Sequence, residues 1–174
     1  REYLSNYHAN IHRSAHHLAG LATEAFEGAR RKLAAHLGVD NPCEIIFTSG
    51  STDSINLVAQ AWGRANLHQG DTVLLTRMEH HSNMVPWQLI AERTGAEIKY
   101  LPVRNTFGEL HLDCLDEWLT PDVKIFSCVH ISNSLGTINP VKELCAKARA
   151  VGALSFVDGA QSAGHYPVDV QDMD

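Results

Sequence analysis

Short apolar runs of strand length alternate along this chain with segments of helical period, and that alternation limits the fold more than any other property. Residues 44–48 (EIIFT), 72–76 (TVLLT), 97–101, 124–129 and 153–157 each read as strands. Between them, residues 52–62, the segment marked by Met84, Trp87 and Ala91, and the run from Pro140 through Leu144 and Ala148 read as helices. Gly63, Gly95 and Gly152 stand where those helices should end, and Pro140 where the last should begin. Ahead of the first strand, Ala22, Phe26, Ala29, Leu33 and Leu37 recur at helical spacing up to Gly38. A polar stretch with a short helix around 115–119 separates the third and fourth strands. The pattern predicts an α/β fold, a mostly parallel sheet flanked by helices.

Composition narrows the function classes. A chain of 174 residues with 44% hydrophobic and 20% charged content can bury a sizeable core. No linker, repeat or low-complexity tract divides it, so one domain is expected. The net charge of -6 offers no basic footprint for nucleic acid. No apolar run approaches the roughly 20 residues of a membrane helix, and the first residues do not read as a signal peptide. Cys43, Cys114, Cys128 and Cys145 lie far apart, with no CxxC pair, which fits a reducing, cytoplasmic setting.

Four polar clusters fall where the strands should end. The last apolar run delivers Asp158 and Gly159, followed by Gln161. In a parallel sheet that position lies at the ligand-binding rim, where a carboxylate can hold a cationic ring nitrogen. The other reading is a strand-end Asp opening a turn. The turn Thr48-Ser49-Gly50-Ser51-Thr52-Asp53 leads into a helix, whose free N–H groups with the Ser51 and Thr52 hydroxyls would suit an anion. It is neither a Walker motif nor GxGxxG, and taken alone it reads first as N-capping by Ser51 or Thr52. In Met78-Glu79-His80-His81-Ser82-Asn83, His80 can stack on a flat ring or move a proton, or serve structure alone. In His130-Ile131-Ser132-Asn133-Ser134-Leu135-Gly136-Thr137, Asn133 offers a donor and an acceptor, or makes a turn with Gly136. Together the clusters suit a planar, phosphorylated, cationic cofactor. His8, His12 and His16 at four-residue spacing raise zinc as a rival, but no HExxH or Cys set accompanies them, and no metal is expected.

TSGSTDSINLVAQAWG, MEHHSNMVPWQ, HISNSLGTINPVKEL and LSFVDGAQSAGHYPVDVQ resemble, in this order, the SufS-type cysteine desulfurases and selenocysteine lyases. These are class V aminotransferase-like, fold-type I enzymes dependent on pyridoxal 5'-phosphate (PLP). The resemblance implies the large domain of that fold over residues 1–174. It implies that Ser51 and Thr52 hold the phosphate, that His80 stacks on the ring and transfers protons, and that Asp158 pairs with the pyridine nitrogen. Gln161 would bond the ring hydroxyl and Asn133 would lie beside substrate and cofactor, with Arg13 and His16 as weaker candidates near the entrance. The implied reaction converts L-cysteine to L-alanine and leaves the sulfur as a persulfide on an enzyme cysteine, with selenocysteine as the alternative substrate. A cytoplasmic homodimer, iron–sulfur cluster assembly and a SufE- or SufU-like sulfur acceptor belong to the same resemblance.

The chain departs from the family pattern in what it lacks. The family's Schiff-base lysine lies in an SGHK motif that does not occur here, and Lys124, Lys142 and Lys147 stand in other contexts. None of the cysteines matches the family nucleophile. The expectation is therefore a truncated large domain, without its start, its lysine segment or the small C-terminal domain, that is inactive alone and exposes sheet edge. Other class V enzymes, of epimerase or kynureninase-like type, and a degenerate PLP-fold binding module are the remaining readings.

Overall fold

The computed structural model describes residues 1–12, 16–104 and 108–173, and the chain groups into two compact units. The smaller, Arg1–Phe47 with Val168–Gln171, carries helices α1 (Glu2–Asn6) and α2 (His17–His36). His16 opens α2, its Nδ1 accepting the Ala19 N–H at 3.3 Å. Ala19, Ala22 and Ala34 form the buried stripe of α2. The Arg30 guanidinium lies over the Phe26 and Phe47 rings and donates to the Ile45 carbonyl.

Residues 44–48 do not form the expected strand. A 3₁₀ turn (Pro42–Glu44) leads into unpaired chain, with Ile46 68% exposed. An apolar run becomes a strand only when a neighbour bonds its N–H and C=O groups. Among the described residues no strand lies beside it.

The larger unit, Thr48–Pro167 with Asp172–Asp174, holds the sheet. Helix α3 (Ser51–Val58) continues through a π turn (Ala59–Gly63) into α4 (Arg64–Asn66). Gly63 thus lies inside the helical run rather than at its end. A Cβ there would stand 3.4 Å from the Ile90 side chain, so the glycine lets two helices approach. Then follow β1 (Thr72–Thr76), α5 (Val85–Thr94), which Gly95 ends at φ 79°, and β2 (Glu97–Leu101). A hairpin of β3 (Val103–Arg104) and β4 (Glu109–Leu110) precedes α6 (Leu115–Trp118). The chain closes with β5 (Val123–Val129), α7 (Val141–Ala150), β6 (Leu154–Asp158) and α8 (Val170–Met173).

The main sheet is parallel throughout, in the order β2-β1-β5-β6. From β1 the α5 crossover steps outward to β2, and from β5 the α7 crossover steps outward the other way, to β6. Right-handed crossovers in opposite directions place their helices on opposite faces. The two cores follow from this. Val73, Leu75 and Ile125 pack with Ile55, Trp87 and Ile90 from the helices of one face. Leu74, Phe126 and Cys128 pack with Leu115, Leu144 and Ala148 on the other. β1, buried at all five residues, therefore reads as an unbroken apolar run rather than an alternating one.

Phe126→Ala, at a fully buried position, is expected to cost about 4 kcal/mol in urea unfolding. Leu154→Ala, at the 41% exposed start of β6, should cost less than about 1 kcal/mol.

Candidate functional site

Reversal of strand order between β1 and β5 leaves a crevice beyond their carboxyl ends, the usual place for a ligand in an open α/β sheet. A cavity of about 320 Å³ lies at this rim, within the small-molecule range. Ser51, Thr52, His80, Asn133, Asp158 and Gln161 all line it, with Ser82, Val129, Ile131 and Ala160. The residues singled out in four separate segments thus share one pocket, although only three of those segments follow strands (β1, β5 and β6) and Ser51 and Thr52 follow unpaired chain.

Each wall has its own cause. Gly50 sits at φ 148°, a conformation L-residues avoid, and turns the chain into α3. The Asp53 carboxylate accepts the Ser49 N–H at 3.1 Å, and Thr48 Oγ1 lies 2.7 Å from Ser54 Oγ. No side chain caps α3, so Ser51 and Thr52 are its first residues rather than its caps. Its leading N–H groups remain to meet an anion.

His80 opens the 3₁₀ turn His81–Asn83 after β1. Its Nδ1 accepts the Ser82 N–H at 3.3 Å and lies 2.7 Å from Ser82 Oγ. A backbone N–H can only donate, which assigns the acceptor role to Nδ1 and the proton of the neutral ring to Nε2. The loop at 131–138 carries Asn133, with Ile131 bridged to Ile138 and Gly136 at φ 72°. Ser132 makes the turn by accepting the Leu135 N–H at 3.2 Å, which leaves the exposed Asn133 amide to the pocket.

Asp158, the last residue of β6, is 7% exposed. Its Oδ1 accepts the Ala160 N–H at 3.0 Å, and its carbonyl accepts the His130 N–H at 2.9 Å. Among the described residues no Lys, Arg or His forms an ion pair with it. A carboxylate so enclosed, with no internal cation, is suited to a cationic ligand.

Glu79 was not singled out from the sequence, yet it is the most enclosed acid at this rim. It is 6% exposed and surrounded by donors. Thr76 Oγ1 at 2.5 Å and the Val129 N–H at 2.8 Å reach its Oε1, and Asn83 Nδ2 reaches Oε2 at 2.6 Å. Asn83 in turn accepts from Trp87 Nε1 and Ser127 Oγ, each at 3.0 Å. Burial pushes the Glu79 carboxyl from 4.5 up to about 7, against the three donors that favour the anion, and the charge of Asp158 adds to the rise. The available signal was polar Thr76 and Ser127 inside otherwise apolar strands, with Asn83 four residues after Glu79.

The remaining candidates lie elsewhere. Arg13 is outside the described residues. In the smaller unit His8 meets the Tyr3 ring edge-on, His12 pairs with Glu27 at 3.1 Å and His16 caps α2. Among the described residues no group of His, Cys, Asp or Glu is arranged to hold a metal ion, and no helix is long and apolar enough to cross a membrane. Among the described residues no cysteine lines the pocket. Cys128 and Cys145 are buried, and burial raises the Cys128 thiol well above its ordinary range.

The Glu79 shift carries a stability consequence of defined sign. Its pKa is higher in the folded chain than in the unfolded one, so between pH 4.5 and about 7 the folded state binds more proton. Stability from this group is therefore full at low pH and falls as pH rises through that window, by on the order of 3 kcal/mol. In urea unfolding at pH 5 and pH 8, the stability of the wild type relative to Glu79→Gln should decline by that order toward pH 8.

The aminotransferase class-V family profile matches residues 1–174. The chain is 46% identical over 172 residues to a probable cysteine desulfurase of Halalkalibacterium halodurans, covering 99% of this chain and 42% of that one. It superposes with TM-score 0.92 on the apo cysteine desulfurase of Thermococcus onnurineus NA1, at 37% identity over 99% of this chain and 42% of the other. A C-DES mutant with glycine covalently linked to its PLP cofactor matches with TM-score 0.72 and 28% identity, over 88% of this chain and 42% of that one. The chain thus spans about 42% of the length of the curated relative. On the profile match over its whole length, with relatives of the same kind in sequence and structure, the chain belongs to the aminotransferase class-V family.

Proposed function

We propose that this chain forms the cofactor cradle of a PLP-dependent cysteine desulfurase, which converts L-cysteine to L-alanine and passes the sulfur to an enzyme cysteine. One observation carries the reading. A buried carboxylate without an internal cation, Asp158, shares a small pocket with an uncapped helix N-terminus and a positioned imidazole. PLP has the complementary parts, a cationic ring nitrogen, a flat ring and a phosphate, and the residues present fit it.

When bound, PLP supplies an electron-withdrawing ring that eases bond changes at the substrate α-carbon. Everything else is the work of the chain. Asp158 would pair with the ring nitrogen and favour its protonated form, since among the described residues no cation pairs with its carboxylate. The α3 N-terminus with Ser51 and Thr52 would hold the phosphate. His80 would stack on the ring, and its Nε2 is the atom available to hold or release a proton beside the substrate. Asn133 and Gln161 supply amides for the ring hydroxyl and the substrate. Val129 and Ile131 exclude water from that side.

Among the described residues no lysine lines the pocket, and the contacts proposed here for PLP are all non-covalent. Resemblance extends the reading to a cytoplasmic homodimer that delivers sulfur for iron–sulfur cluster assembly, through a SufE- or SufU-like acceptor.

Asp158→Asn is expected to weaken PLP binding by on the order of a hundredfold, followed by quenching of intrinsic fluorescence. Equal affinity in the two proteins would overturn the assignment. In the protein that carries this sequence, the same substitution should lower alanine formation from L-cysteine by at least that factor. Absence of alanine formation in wild type and variant alike would remove cysteine as substrate.

A further inference from the structure

Glu79 stands where the chain must solve a mechanical problem. The loop after β1 carries His80, and β5 carries Val129 on the facing wall of the same pocket. These neighbouring strands diverge beyond their ends, since one continues to the left of the sheet and the other to the right. Nothing in the ladder itself holds the His80 loop onto β5.

The Glu79 carboxylate bridges that gap. Its Oε1 accepts the Val129 N–H from β5, and also the Thr76 hydroxyl from the end of β1. Its Oε2 accepts from Asn83, which closes a short loop with His80 inside it. The Asn83 N–H donates to the His80 carbonyl at 2.8 Å, fixing the same loop through the backbone. Asn83 has no freedom to turn over, because Trp87 Nε1 and Ser127 Oγ both donate to its Oδ1. The Val129 carbonyl accepts from Asn139 at 2.8 Å, so β5 is held on its other side as well. Every side chain in this network is buried, and among the described residues no buried side-chain polar atom lacks a hydrogen bond.

We propose that Glu79 is a positioning residue for the pocket, which clamps the loop after β1 to the end of β5 and thereby fixes the place and tautomer of His80 opposite Asp158. The clamp acts through matched donors and acceptors. Glu79 is not among the residues that line the pocket, so it acts through His80 and Val129. The importance of that position for PLP rests on the function proposed above, but the clamp does not.

The chain offers a test by exchange. In Glu79→Gln the new amide group faces the Asn83 amide, donor against donor. In Asn83→Asp two carboxyl groups face each other, acceptor against acceptor. The double variant Glu79→Gln/Asn83→Asp restores the match. Its introduced glutamine donates to the introduced aspartate, whose other oxygen keeps the Trp87 and Ser127 donors. Nitrogen-15 NMR of the His80 ring and PLP affinity are measured in all four proteins, with folding checked by circular dichroism.

The wild-type ring should show one tautomer, protonated at Nε2. Each single variant should show a mixed ring signal and about tenfold weaker PLP binding, and the double variant should recover both. Single variants that keep the wild-type ring signal and affinity overturn the clamp, as does a folded double variant that recovers neither. Should the single variants fail to fold, Thr76→Val removes only one donor to Oε1 and must move the ring signal in the same direction, and an unmoved signal overturns the clamp. If the wild type binds no PLP while the ring signals follow the exchange, the cofactor reading falls and the clamp stands.

Discussion

Parallel pairing of β1 with β5 is the constraint on which the rest of this structure depends. Two neighbouring parallel strands cannot be joined by a tight turn, so each must leave the sheet over a helix. Because β1 and β5 leave in opposite directions, helices cover both faces and the strands between them are buried on both sides. The same reversal opens a crevice at the carboxyl ends. A strand end in a buried sheet would otherwise leave backbone groups without partners, and here loop amides and the buried Glu79 and Asn139 side chains satisfy them. The pocket is thus a by-product of how the sheet is wound.

The price of that winding is a seam between loops that diverge, and the buried Glu79 network closes it. A carboxylate enclosed among apolar side chains opposes folding once it ionises, and its shift toward neutral pH reports that opposition. Three donors in place make the group an organiser rather than a defect. Asp158 differs in kind, since it accepts a single backbone N–H and among the described residues no cation pairs with it.

Much of this was legible in the residues, for physical reasons that can be named. Strands buried on both faces, such as TVLLT, read as apolar runs, and Gly95 stands where a left-handed cap is needed. His80, Asn133, Asp158 and Gln161 could be singled out because a parallel sheet sends every strand end to one rim, whereas Ser51 and Thr52 were legible as the start of a helix after a glycine turn. The failures are as physical. EIIFT has strand propensity, but propensity cannot supply a pairing partner. Gly63 looked like a stop, yet its missing side chain serves helix packing. The β3–β4 hairpin, with two residues per strand, is too short to show a period. Glu79 was passed over because a buried acid after a strand and a solvated one have the same letter. Only the fold reveals that Val129, 50 positions away in sequence, aims its N–H at that carboxylate.

A crystal structure of the protein soaked with PLP tests the proposal that the pocket at the reversal point holds PLP, a flat phosphorylated ring with a protonated nitrogen. Density is expected with the ring nitrogen on Asp158, the phosphate on the amides that open α3 and the ring face against His80. A phosphate seated away from α3, or a ring whose nitrogen turns from Asp158, would contradict it.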